Sequence, residues 1–87
     1  MTITLNNGVS LDVYGCGQSG DTLHIDIPAE IGFAEAAKIF DDPAATSVIT
    51  YRSEVEVVVF EGFTRISRIG YSPWVENALA IVLEKGV

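Results

Sequence analysis

The sequence predicts an α+β fold, a mainly antiparallel sheet of about six to seven short strands with one short helix packed on a face, on three observations of pattern. Apolar and polar residues alternate over most of the chain with the two-residue period of half-buried strands. The period becomes helical in one place, at Phe33, Ala36, Ala37 and Phe40. The breaks between runs are short enough for hairpins, and no repeated βα unit calls for crossover connections. With 87 residues the chain holds one domain, 1–87, and no second core.

Thr2 to Asn6 places Ile3 and Leu5 on one side of a strand and Thr2, Thr4 and Asn6 on the other. Asn7-Gly8 turns it in a type I′ geometry, which both residues tolerate, and Val9 to Tyr14 returns with Val9, Leu11 and Val13 against Ser10 and Asp12. Gly15 to Asp21 is small and polar and reads as a loop. Thr22 to Ile27 resumes the alternation, with Leu23, Ile25 and Ile27 opposed to His24 and Asp26, until Pro28 stops it. The stripe from Phe33 to Phe40, widened by Ile39, makes a short helix with Glu35 and Lys38 in water. Asp41-Asp42-Pro43 ends it, because the residue before proline avoids the α region. A helix this short is unstable alone, so its phenylalanines must pack on the sheet.

Ser47 to Tyr51 and Val55 to Phe60 are strands about a turn at Arg52-Ser53-Glu54, and the run Val58-Val59-Phe60 predicts at least partial cover on both faces. After Gly62, Phe63 to Ile69 is expected to continue as a bent or bulged strand, since Ile66 and Ile69 fall out of a two-residue step. Gly70 to Trp74 reads as a loop, and the Ile-Val-Leu run closes the chain as a strand from Glu76 or Asn77 to Lys85.

Composition excludes several functions. A hydrophobic fraction of 48% rules out a disordered chain. One cysteine cannot form an internal disulfide, which fits a cytoplasmic location or a particle assembled there. Met1 to Asn7 lacks the charged and apolar regions of a signal peptide, and no apolar run reaches the ~18 residues of a membrane helix. The net charge is −7, divided unevenly: Met1 to Pro43 carries seven acids against Lys38 alone, a net of −6, and Ala44 to Val87 a net of −1. Such a chain is repelled by phosphate backbones and anionic membranes, so neither nucleic acid nor membrane is an expected partner.

Gly15-Cys16-Gly17-Gln18-Ser19-Gly20 spells G-x-G-x-x-G after a strand, but a strand follows it where a dinucleotide fingerprint needs a helix. Cys16, His24, Asp26 and Asp12 supply the residue types of a thiol nucleophile, a base and an orienting acid. Against that reading, His24 and Asp26 occupy the solvent side of their strand and no oxyanion hole is in view. One His and one Cys fall short of a zinc site, and the carboxylates lack calcium-loop spacing. Glu54, Glu56 and Glu61 are placed to keep a strand edge from aggregating rather than to form an acid/base pair. No catalytic residue, cofactor or metal is assigned.

Arg52, Arg65 and Arg68, interleaved with Phe63, Tyr71 and Trp74, are the interface candidates, weighed against plain surface arginines. An acidic partner suits such a face, and the acidic first half of another copy would supply it in a head-to-tail contact.

The segments FAEAAKIFDDPAATSVITY, VVVFEGFTRISRI and ALAIVLEK resemble small uncharacterised phage- or prophage-encoded proteins of Gram-positive gut bacteria. The likeness rests on a helix ending Ile39-Phe40-Asp41, the element Phe60 to Thr64 and a last strand ending Leu83-Glu84-Lys85. It implies a particle or assembly component and transfers no functional residue. The expected function is therefore a non-catalytic, homo-oligomeric interaction or assembly subunit of a phage-type particle, acting through sheet edges and the basic, aromatic face. Two readings compete with it: a soluble acidic inhibitor masking a basic protein, and a thiol enzyme using Cys16, His24 and Asp26.

Overall fold

The computed structural model describes Met1–Gly86. Its elements are β1 (Thr2–Leu5), β2 (Ser10–Asp12), β3 (Gly15–Ser19), β4 (Thr22–Pro28), a 3₁₀ turn (Ala29–Ile31), α1 (Phe33–Phe40), α2 (Pro43–Thr46), β5 (Val48–Arg52), β6 (Val57–Glu61), β7 (Arg65–Tyr71) and β8 (Ala78–Glu84). The fold is α+β and every strand pair is antiparallel. Among the described residues the strands number eight, more than expected, and form two four-stranded sheets rather than one. Sheet A runs β2-β1-β5-β6 and sheet B runs β3-β4-β8-β7.

The two sheets are joined along both sides by strands that bend from one into the other, as in orthogonal packings. At the first corner the Val13 N–H still donates to Met1 of sheet A, while the Tyr14 N–H already donates to Asp26 of sheet B. At the second the Gly62 N–H donates to Ser47, and its carbonyl accepts from Gly86 beyond the end of β8. Backbone hydrogen bonding thus passes from sheet to sheet within a residue or two, and the ladders close into a ring. Gly62 makes this corner with φ +85°, a left-handed conformation that costs a glycine little.

Inside the ring, Ile3, Leu5, Leu23, Ile25, Ile27, Ile49, Phe60, Phe63, Leu79, Ile81 and Leu83 form the core. Each such side chain contributes roughly 1.5–3 kcal/mol of burial. The alternation expected of β1 and β4 is seen in their burial. β7 carries the expected bulge, between Ile66 and Arg68. It resets the two-residue period, so Ile66 and Ile69 both face the core and Arg68 faces out.

Five expectations need correction. Gly15–Ser19 is a strand and not a loop, because the ladder offered by β4 outweighs the low strand propensity of Gly-Cys-Gly. The Gly70 to Trp74 loop starts later, since Gly70 and Tyr71 end β7. The first hairpin does not use a type I′ turn: the Gly8 N–H donates to the Leu5 carbonyl and Gly8 alone has positive φ, which makes a type I turn followed by a glycine bulge. The partial cover expected on both faces of Val58-Val59-Phe60 is thin on the outer one, for β6 lies at the margin of sheet A with Val57 55% and Val59 52% exposed. Finally, Pro43 does more than end α1.

Asp42 and Pro43 start a second helix, α2, with Asp42 as N-cap accepting from the Ala45 N–H at 3.2 Å and Pro43 in its first turn. Ala36 and Phe40 of α1 and Ala45 and Thr46 of α2 are buried, and α1 packs beside β7. Asp42→Ala is expected to lower stability by about 0.5–2 kcal/mol through loss of the cap, read as a lower urea midpoint with an unchanged slope.

Candidate functional site

Residues directly opposite in an antiparallel pair share a face. On sheet B the pair Cys16 with Ile25 faces the core, whereas Gly17 with His24 and Gly15 with Asp26 face out. Cys16 and His24 therefore lie on opposite faces of the sheet, and the thiol, imidazole and carboxylate are not brought together. Cys16 packs against the core, where burial pushes its thiol up to about 12, away from a thiolate. The G-x-G-x-x-G segment is a hairpin strand with its turn and leads into β4, not a helix. Among the described residues no group of three or more His, Cys, Asp and Glu is placed to hold a metal ion.

The outer face of sheet B has a floor of small residues. Gly15 and Gly17 on β3, Ala78, Ala80 and Val82 on β8 and Gly70 on β7 all point to this side. The connection from β7 to β8 lies against this floor. Its backbone is tied down by the Ser72 N–H donating to Ala78, by the Trp74 and Val75 N–H groups donating to the Ser72 hydroxyl, and by the Ala29 N–H donating to Asn77. This loop presents Trp74 with 77% of its surface exposed and its ring edge-on to His24, centroids 6.4 Å apart. Between them lies a cleft of about 70 Å³ lined by His24, Arg68, Tyr71, Trp74, Ala80 and Val82. Small-molecule pockets run to roughly 300–1,000 Å³, so this cleft has room for little more than one side chain.

Arg68 reaches the cleft because the bulge turns it outward and because Gly70, lacking a Cβ, leaves room for its guanidinium. A Cβ on Gly70 would lie 3.3 Å from the Arg68 Nε. Tyr71 is 69% exposed and meets the ring of Phe33 edge-on at 5.1 Å. Phe33 is itself 42% exposed, so the helical stripe is buried at Ala36 and Phe40 but open at its first residue. Phe33, Tyr71 and Trp74 thus extend from the start of α1 to the cleft.

The structure divides the sequence-derived candidates. Arg68, Tyr71 and Trp74 come together. Phe63 is 1% exposed and belongs to the core, unavailable to a partner. Arg52 ends β5 in the other sheet. Arg65 is committed to Glu84 across the strand pair at 2.9 Å. That hydrogen bond, with another from Ser67, holds the Glu84 carboxyl below its usual range. The sequence reading missed Phe33 and His24 as members of the face. Phe33 reads as core by helical spacing, and the outward parity of His24 was the available signal for its membership.

Among the described residues no helix is long and apolar enough to cross a membrane. Comparison with family models, with curated proteins and with solved structures finds no significant match for the chain.

Proposed function

We propose that the chain is a non-catalytic assembly subunit that docks an acidic surface of a neighbouring subunit onto the face formed by Arg68, Tyr71 and Trp74. The observation that carries this reading is the pair of strongly exposed aromatic rings, Tyr71 and Trp74, held on a hydrogen-bonded loop and strand end beside Arg68. Aromatic anchors and arginine dominate binding hot spots, and a backbone fixed in advance loses little freedom on docking. Acidic surface is abundant on the chain itself. Around the helices Glu30, Glu35, Asp41 and Asp42 are all exposed, against Lys38. A second copy presenting this helical end makes a head-to-tail contact, the kind that closes rings or extends filaments. The resemblance to phage- and prophage-encoded proteins favours the same role, a component of a particle.

Light scattering on a sizing column at low and high salt tests it. The expected result is association that weakens as salt screens the acidic and basic partners, accompanied by a blue shift of the single tryptophan as Trp74 becomes covered. Trp74→Ala and Arg68→Glu should each abolish the salt-sensitive species. A concentration series in which Trp74 emission never moves, with the salt-sensitive species absent, rejects the proposal.

A further inference from the structure

We infer that β6 is a second, two-fold interface, at which two copies of this chain pair their β6 strands antiparallel and extend sheet A across the dimer axis. The inference does not depend on the aromatic face. It starts from hydrogen-bond parity. The Ser53 N–H donates to Glu56 and the Gly62 N–H to Ser47 at the two ends of the β5–β6 ladder. In an antiparallel ladder bonded pairs alternate with non-bonded ones, so the register assigns Tyr51 with Val58 and Ile49 with Phe60 to the bonded set. The N–H and C=O groups of Val57, Val59 and Glu61 therefore point away from β5. The Glu61 carbonyl bears this out: it accepts from the Lys85 ammonium at 3.1 Å instead.

This margin is less protected in backbone and length than the other three sheet edges. β2 is three residues long, β7 is bulged and flanked by α1, and β3 carries glycines. β6 has five residues, no bulge in its pairing, and exposed valines at Val57 and Val59, with Val55 91% exposed in the preceding turn. Its guards are Glu54, Glu56 and Glu61 and the Lys85 ammonium on the Glu61 carbonyl.

Those acids select the orientation of the partner. A parallel, in-register pairing would set Glu61 beside Glu61 of the other copy, a like-charge contact that destabilises a strand pair. Antiparallel pairing centred on Val59 sets Val59 against Val59 and Val57 against Glu61, and all of these residues carry outward-pointing backbone groups. The same register brings Glu56 of one copy opposite Gly62 of the other. There the exposed Lys85 lies, its Cδ 3.6 Å from where a Gly62 Cβ would be. Each copy thus supplies an acid to the other's lysine, twice, as a two-fold contact requires. The Glu61 carbonyl has two lone pairs, so Lys85 and the partner's Val57 N–H can share it.

The test is sedimentation at about 0.5 M salt, where contacts between exposed charges are largely screened, combined with hydrogen exchange. Wild type and Trp74→Ala are expected to sediment as dimers. Val59→Lys, a change on an exposed position, is expected to give a monomer with unaltered circular dichroism and a melting temperature that no longer rises with protein concentration. On raising the protein concentration, the Val57, Val59 and Glu61 amides of wild type should slow at least tenfold while the β2 and β3 amides do not. A monomeric wild type, a dimeric Val59→Lys, or β6 amides that exchange at one rate at every concentration overturns the inference. Loss of the dimer in Trp74→Ala but not in Val59→Lys would place self-association on the aromatic face instead.

Discussion

Cys16 in the folded protein is expected to react with iodoacetamide at neutral pH on the order of a thousandfold more slowly than an unstructured thiol, because the reactive species is the thiolate. Cross-strand from Ile25 and packed on the core, the sulfur loses the hydration that a negative charge needs, and its thiol is pushed up to about 12. The rate should climb about tenfold per pH unit past the ordinary thiol range, where a free cysteine levels off near 8.5–9. Denaturant should restore ordinary reactivity. The same shift has a consequence for stability. Below the unfolded thiol's pKa both states hold the proton and nothing changes; above it the unfolded chain releases the proton that the folded chain retains, so stability falls as pH rises toward 12. The slope is about 1.4 kcal/mol per pH unit at most. Tyr and Lys side chains also titrate there, so the difference between wild type and Cys16→Ala isolates the effect. Rapid alkylation at pH 7 with a midpoint below pH 8 would mean that the thiol is not held against the core.

How much of this was legible depended on whether a residue's role was set by its neighbours in sequence or by partners far away. The strands β1 and β4 follow from alternation, β8 from its continuous Ile-Val-Leu run, and the irregularity of β7 from the spacing of Ile66 and Ile69. The helix α1 follows from its stripe. β3 was not legible, since its pairing energy comes from β4 and its composition speaks for a loop. The division into two sheets was hidden for a similar reason. Val13-Tyr14 and Gly62 carry no signal that hydrogen bonding changes sheet there; only the partners Met1, Asp26, Ser47 and Gly86 reveal it. At the candidate site Tyr71 and Trp74 stand out in sequence as aromatics near arginines, but whether their rings are tucked onto the core or open to a partner is not written there, and Arg65 and Arg68 are indistinguishable. Their difference arises from what lies across the strand: Glu84 opposite one, Val82 and the bare backbone of Gly70 beside the other. Phe63 and Trp74 differ in the same way, and their difference is measurable.

Phe63→Ala is expected to destabilise the fold by about 3–5 kcal/mol, whereas Trp74→Ala should change stability by no more than about 0.5 kcal/mol. For a domain of this size the first loss corresponds to a fall in melting temperature of roughly 12–30 °C. Phe63 follows the corner glycine, where the chain leaves sheet A for sheet B. It meets Phe60 edge-on at 6.4 Å, and its ring has the Lys85 ammonium 5.0 Å from its centroid. Truncation would open a cavity where the two sheets share a strand, and the hydrogen bonds of Gly62 to Ser47 and Gly86 on either side leave the backbone little freedom to collapse into it. The cost therefore belongs at the upper end of the range for buried aromatics. Trp74 lacks that burial, since its ring is mostly in water and its loop is held by Ser72 and Ala78 through backbone groups that an alanine retains. Thermal melts of the two variants by circular dichroism, side by side with wild type, decide the matter. If Phe63→Ala melts within a few degrees of wild type, the second corner does not bind the two sheets into one core, and the closed ring of hydrogen bonds would have to hold without the packing described here.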